Sequence, residues 1–235
     1  MLLLIYARLV ANVRENFERV RERVAAAAHR AGRDEGAIRI VAVTKTLGVE
    51  ALKEAVKAGI TDLGENRVQE ALPKIEAIRD WCAETGRMLP TWHLVGHLQS
   101  NKVRAALGAF DILQSLDSVK LARAIEQRAE QRVPAYIEVN IAGEESKFGF
   151  VPGEVGRPLE EMRGLARLDV VGLMTVAPLA EPGSVRTVFR RTRELAAEFG
   201  LQELSMGMTG DFEIAVEEGA TCLRLGRVLF GERQQ

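Results

Sequence analysis

The sequence predicts a (β/α)8 barrel of the TIM type behind one leading helix, and three observations carry that expectation. Short runs rich in aliphatic and β-branched residues alternate with stretches of helical periodicity, the mark of βα units and a parallel sheet. Eight such units follow one another within about 200 residues, which suits a barrel; a doubly wound sheet, the alternative, usually has fewer strands. No linker or low-complexity segment breaks the alternation, and the seven prolines are scattered along the 235 residues. A chain of this length can build one large core, so a single domain over 1–235 is expected.

The chain opens on MLLLIYARLV, whose first seven residues are uncharged. A secretory signal would begin with a basic segment and end at a small-residue cleavage site. Here the apolar run meets Arg8 and continues into a segment with Val10, Val13, Phe17, Val20, Val24 and Ala27 on one helical stripe, stopped by Gly32. We read an amphipathic helix over about 8–32 with an apolar lead-in. The first strand is IRIVAVT (38–44), five of whose seven residues are aliphatic, as in a strand buried on both faces. TDLGE (61–65), TWHLVG (91–96) and DILQSL (111–116) follow. The second four are AYIEVNI (135–141), LDVVGLM (168–174), ELSMG (203–207) and TCLRLG (221–226). Helical patterns fill the gaps, among them GVEALKEAVKAG, SVKLARAIEQRAEQ and SVRTVFRRTRELAAEFG.

Composition narrows the function classes. Hydrophobic residues make up 47% and charged residues 28%, and the formal net charge of −1 leaves no electrostatic footprint for nucleic acid or an anionic membrane. No apolar run approaches the ~20 residues of a membrane span. Two cysteines, Cys82 and Cys222, make no disulfide framework and fit a reducing cytoplasm, where we expect the protein.

In such barrels the chemistry gathers at the C-terminal strand ends, and phosphate is frequently held after strands 7 and 8. The first strand runs straight into Lys45. Two readings stand: the chain has emerged and Lys45 is in water, or Lys45 is a buried amine for covalent chemistry with a carbonyl, its pKa lowered by burial. The chain has seven lysines against 25 arginines, so a lysine at this strand end is less often a chance. After the seventh strand, SMGMTGD offers the hydroxyls of Ser205 and Thr209 with backbone N–H groups around Gly207 and Gly210. It leads into an apparent helix whose positive end would favour a phosphate, or it is an ordinary turn with Asp211 as N-cap. In TCLRLG, Arg224 and Leu223 face opposite ways, so Arg224 points at a partner, a wet cavity or the surface, and Gly226 lets backbone approach a ligand. Barrel closure brings strand 8 beside strand 1.

Weaker candidates remain. His93 and His97 have a metal-ligand spacing only on a helix, whereas TWHLVGH reads as a strand entering a loop, and a metal is not expected. Asn66 with Gln69 reads as a capping box, or Asn66 faces the pocket. Lys147 and LQSNK (98–102) read as loop residues.

The ordered set VAVTKT, GENRVQE, WHLVGHLQSNK, SLDS, VNIAGEESKFGF, GLMTVAP, LSMGMTGDFEIAVEEGAT and LRLGRVLFGER closely resembles the pyridoxal phosphate homeostasis protein family. Its members are single-domain relatives of the alanine racemase N-terminal barrel, and the resemblance runs from about residue 10 to near the end. It implies a protein that holds pyridoxal 5′-phosphate (PLP) as a Schiff base and serves PLP homeostasis, without enzymatic turnover. It further implies Lys45 as the Schiff-base lysine, Thr209 as the phosphate-binding hydroxyl, Gly226 as the turn glycine and Arg224 as the residue facing the pyridine nitrogen. Asn66 and Ser205 match further pocket positions. One departure is visible: relatives commonly have Ser or Thr after the strand 8 glycine, where this chain has Arg227. The backbone N–H there still suits phosphate, and Arg227 offers a cation in place of the hydroxyl.

Two other functions compete for the same residues. A PLP-dependent racemase needs a second acid–base group opposite the lysine. Related racemases draw a tyrosine from a second domain; the tyrosines here are Tyr6, ahead of the barrel, and Tyr136, early in strand 5 at the wrong end. An arginine at the pyridine nitrogen also keeps that nitrogen unprotonated, which weakens carbanion stabilisation. A Schiff-base aldolase on the same barrel would be colourless when purified. A monomer is expected, with PLP-dependent apo-enzymes as recipients of the cofactor.

Overall fold

Alternating side chains close this sheet into a ring. The computed structural model describes residues 2–144 and 148–231, with side chains from residue 13 onward. Helix α1 (Leu2–Arg30) leads into strand β1 (Arg39–Val43) and helix α2 (Val49–Lys57). Then come β2 (Asp62–Glu65), α3 (Val68–Thr85), β3 (Thr91–Leu94), α4 (Val103–Leu107), β4 (Ile112–Leu116) and α5 (Val119–Glu126). The second half runs β5 (Val133–Glu138), α6 (Gly156–Arg163), β6 (Leu168–Met174), α7 (Pro182–Glu198), β7 (Glu203–Ser205), α8 (Phe212–Glu217), β8 (Cys222–Leu225) and α9 (Arg227–Phe230). All eight strands are parallel and pair in sequence order, and β8 closes on β1 with Arg39 opposite Cys222 and Ala42 opposite Leu225. The expected barrel is the observed one.

The strand limits differ where backbone chemistry intervenes. Strand β5 begins at Val133 because Pro134 is accommodated near its start, where no ladder donor is lost from the interior. Strand β7 stops at Ser205, and Gly207 turns with φ 96°; a Cβ there would lie 2.6 Å from the Ala215 Cβ. The leading helix begins at Leu2 rather than near residue 8, so the apolar lead-in is itself helical backbone. Its stripe behaves as expected: Val13, Val20, Val24 and Ala27 are buried and Phe17 packs beside them, while the Val10 side chain lies outside the described residues. No described helix is long and apolar enough to cross a membrane.

The two strand faces build two different regions. Outward residues such as Ala42, Leu63, Leu94, Ile137, Leu204 and Leu223 join Leu52, Ile78, Leu121, Leu159, Phe189 and Phe212 of the helices in one continuous apolar shell. Inward residues include His93, Gln114, Ser205, Cys222 and Arg224, all buried. Ser205 on β7 bonds Gln114 on β4, and Tyr136 on β5 bonds Glu203 on β7, links between non-adjacent strands that only the lumen permits.

Helix α1 braces the far end of the chain. Asn16 Nδ2 donates to Leu229 O at 2.9 Å, Arg23 pairs with Glu213 at 3.1 Å while lying 4.5 Å over the Phe212 ring, and Arg30 pairs with Glu217 at 2.8 Å. The first helix thus grips α8 and α9, the two short helices that follow the glycine-rich turns.

Candidate functional site

Lys45 stands at a strained corner. The Leu47 N–H closes a turn onto Thr44 O at 3.0 Å, and Thr46 inside it has φ 68°. A type II turn asks for that conformation at its third residue and normally finds glycine there; in a β-branched residue it is uncommon and costs of order 1–3 kcal/mol. The residue beneath is locked. The Thr44 hydroxyl donates to Glu65 Oε1 at 2.7 Å, and Lys74 Nζ donates to the same oxygen at 2.8 Å and to Thr44 O at 3.2 Å. Glu65 is fully buried with its second oxygen unpartnered, so it is committed to this corner rather than to solvent. Lys45 itself is half-buried, less enclosed than a core amine, and makes no hydrogen bond or ion pair with a described residue.

That amine opens into a cleft of about 790 Å³ between the ends of β1, β2, β6, β7 and β8. Val43, Val95 and Val176 give it apolar walls, and Asn66, Met208, Thr209, Gly226 and Arg227 supply polar and backbone groups. The size lies within the usual range of small-ligand pockets. Thr209 Oγ1 accepts from the Val228 N–H at 3.4 Å, which ties the β7 turn to the start of α9. A Cβ on Gly226 would stand 3.4 Å from Val43 O, so the turn after β8 lies close against β1. Arg227 is exposed at the rim.

Arg224 reaches the cleft from below. It is 6% exposed, with Nη1 donating to Ser205 Oγ at 2.6 Å and Nη2 donating to Thr175 O at 2.7 Å. Burial pushes its guanidinium below the ordinary value, and the more distant Cys222, Glu138 and Asp211 pull the other way. Burial raises the Glu138 carboxyl, Asp117 adds to the rise, and Arg224 and His97 oppose it. Asp211 is likewise pushed up by burial, against the hydrogen bond it accepts from the Met208 N–H at 2.5 Å. A buried cation with neutral hydrogen-bond partners is ready to meet a further acceptor.

Most of the residues singled out in the sequence converge here: Lys45, Asn66, Thr209, Arg224, Gly226 and Arg227 all line the one cleft. Ser205 does not. It is fully buried beneath Arg224 and spends its hydroxyl on Gln114. The capping box is also corrected: α3 has Arg67 as N-cap with no side-chain cap, because the Asn66 backbone lies against Gly96, where a Cβ would come within 2.4 Å of Asn66 O. Asp211 is the N-cap of α8, a helix of only six residues. The histidines part company, His93 in the lumen on Asp62 and Gln114, His97 at the mouth on Asp117 at 2.9 Å and stacked on Phe148. Lys147 lies outside the described residues. Gln114 and Asp62 went unread, and His93 was considered only as a metal ligand, although a glutamine inside DILQSL is a signal that one strand face is not apolar.

Comparison with known proteins gives a consistent result. The model of the alanine racemase N-terminal domain matches residues 10–234. A pyridoxal phosphate homeostasis protein of Aquifex aeolicus is 42% identical over 233 residues, covering 95% of this chain and 99% of the relative. The structure of PipY from Synechococcus elongatus, described with PLP bound, has a TM-score of 0.78 at 34% identity over 90% of this chain and 100% of that one. Alanine racemase of Clostridium difficile has a TM-score of 0.69 at 16% identity, over 96% of this chain and 58% of that one, which speaks to the fold alone.

Proposed function

The chain belongs to the pyridoxal phosphate homeostasis protein family, and from that premise we propose that its cleft binds PLP through Lys45 and serves PLP homeostasis without amino-acid turnover. One observation carries the reading: a half-buried amine with no partner among the described residues opens into the same cleft as a buried arginine and two glycine-containing turns. When bound, PLP supplies an aldehyde able to condense with an amine, and a phosphate dianion. Lys45 provides the amine. The strained turn at Thr46 holds it at the mouth, while the Thr44–Glu65–Lys74 cluster keeps competing carboxylate away from it. Thr209 and the backbone after Gly226 suit the phosphate, and Arg227 at the rim adds a cation where relatives commonly carry a hydroxyl. Arg224 donates to the ring nitrogen, which keeps that atom unprotonated. Asn66 borders the same space.

The absence of turnover rests on the chain's own acid–base groups. Tyr136 is spent in the lumen, where its hydroxyl donates to Glu203 Oε2 at 3.1 Å and burial pushes its pKa far up. It offers no second base at the mouth. In this reading one barrel domain holds the whole site, the protein works as a cytoplasmic monomer, and PLP-dependent apo-enzymes receive the cofactor.

The test is spectroscopic and chemical. Purified protein should absorb in the visible, and borohydride reduction should fix the cofactor on the peptide bearing Lys45. Recovery mainly on Lys102 or Lys147 overturns the assignment. Incubation with L- and D-alanine in deuterated water should give no repeated α-proton exchange; multiple turnovers lost in Lys45→Ala would make the protein an enzyme.

A further inference from the structure

Five polar side chains from five strands meet end to end inside the barrel. Arg224 Nη1 donates to Ser205 Oγ at 2.6 Å, and the Ser205 hydroxyl donates to Gln114 Oε1 at 2.6 Å. Gln114 Nε2 lies 2.9 Å from His93 Nδ1, and His93 Nε2 lies 2.9 Å from Asp62 Oδ1. Ser205, Gln114 and His93 are 0% exposed, so bulk water does not replace a mismatched partner.

The two ends set the direction of every bond between them. A guanidinium only donates and an ionised carboxylate only accepts. Asp62 is kept ionised: burial pushes its carboxyl up, but hydrogen bonds from His93 and Thr61 and the charge of Arg39 outweigh this and hold it below the ordinary value. A neutral His93 then carries its proton on Nε2 and presents a bare Nδ1 to Gln114. The Gln114 amide turns its NH2 toward His93 and its oxygen toward Ser205. Ser205 gives its proton to Gln114 and accepts from Arg224 on a lone pair. Flipping the amide would set its oxygen against the bare Nδ1 of His93, acceptor against acceptor, and take the Gln114 oxygen away from the Ser205 proton.

We infer that Asp62, His93, Gln114 and Ser205 form a one-way hydrogen-bond line that aims Arg224 at the bound cofactor ring, with Gln114 as its positioning residue. The inference rests on the PLP-binding reading above. Ser205 and the Thr175 carbonyl fix the guanidinium plane from below, which leaves its other N–H groups for the cleft. Each member polarises the next, which strengthens the Arg224–Ser205 bond that orients the guanidinium.

Two measurements on the full chain test this. The first needs no PLP and no variant. The protein has three histidines, and nitrogen-15 NMR should find His93 protonated on Nε2 and bare on Nδ1. A proton on Nδ1 overturns the line. The second is a double-mutant cycle on the loaded protein, reading PLP release and the visible absorption maximum. Gln114→Leu should speed release about tenfold, the scale of a hydrogen bond to a charged group, and displace the maximum. In an Arg224→Lys background the same substitution should change release by less than about twofold and leave the maximum in place. Ser205→Ala, which cuts the line at the next joint, should reproduce the displacement where Gln114→Leu fails to fold. Equal effects in both backgrounds, or none in the parent, overturn the positioning role. A protein that does not take PLP on Lys45 fails the earlier reading, while the histidine signal still judges the line.

Discussion

The lumen and the shell of this barrel are made by the same strands yet obey opposite rules. Outside the ring, Leu63, Leu94, Ile137 and Leu223 face the helices in a continuous apolar layer. Inside it, Asp62, His93, Gln114, Ser205 and Arg224 exchange hydrogen bonds, and Tyr136 bonds Glu203. Apolar burial is non-directional and contributes stability roughly in proportion to area. Buried hydrogen bonds contribute little net stability but are costly to leave unmade, so they select one arrangement. The shell holds the barrel together; the lumen decides which way its polar groups point.

That division can be broken in several ways. The largest effect belongs to Lys45→Ala, which should abolish the visible cofactor band while the melting temperature of the cofactor-free protein stays unchanged, because Lys45 makes no contact that the fold uses. A loss of fold in this variant would merge the two regions. Next is Phe189→Ala in the shell, where the side chain is 0% exposed. Denaturant unfolding should show a loss of about 3–5 kcal/mol, with the visible maximum of the folded, loaded fraction unmoved. Third, titration with pyridoxal lacking its phosphate should give an affinity at least about tenfold below that of PLP, since charge-assisted hydrogen bonds to Thr209, Arg227 and backbone are removed.

Acid sharpens the contrast. Asp62 in the lumen is pushed up by burial, yet hydrogen bonds from His93 and Thr61 hold it below its ordinary 3.8; Glu217 on α8 is held below 4.5 chiefly by hydrogen bonds from Arg186 and Arg30. Both pKa values are depressed on folding. Their stabilisation is therefore full above the unfolded values and lost as pH falls through the folded ones. Stability followed by denaturant midpoints should decline below about pH 4, and Asp62→Asn should flatten part of that decline. Only the lumen change should also disturb the His93 tautomer. The smallest effect is Thr46→Gly, which relieves a β-branched residue at φ 68° and should stabilise the protein by about 1 kcal/mol in thermal unfolding.

The ring was legible because alternation of short β-rich and helical runs is a local signal repeated eight times. Convergence of Lys45, Thr209, Arg224 and Gly226 was legible too, since a barrel brings all C-terminal strand ends to one face. Arg224 was read by parity against Leu223, and the structure gives it the buried partners that parity demanded. Ser205 shows the limit. Its place in the chain fits a pocket residue, but a strand residue one pleat too deep supports the pocket from beneath. The bonds joining Asp62, His93, Gln114 and Ser205 stayed hidden because the partners lie 21 to 91 residues apart in sequence, and nothing local reports a bond across a lumen. Strand β5 starts two residues before the expected Ala135, because a proline near a strand start costs the ladder nothing. Of the two readings of Asn66, it lines the cleft and does not cap α3, and the close backbone packing on Gly96 leaves no trace in spacing.

The grip of α1 on α8 and α9 also has a meaning in time. A ribosome delivers α1 and β1 first, and the surfaces that complete them last. Until β8 emerges, β1 keeps one edge unpaired, and until α8 and α9 emerge, α1 lacks two of the helices it packs against. Contacts between the two ends of a chain are slow to form, and an exposed stripe with an open strand edge invites association with neighbours meanwhile. The nascent chain is thus at its most vulnerable just before the span from β7 onward appears. The cofactor cleft, built on those same late turns, comes into being only as the ring closes.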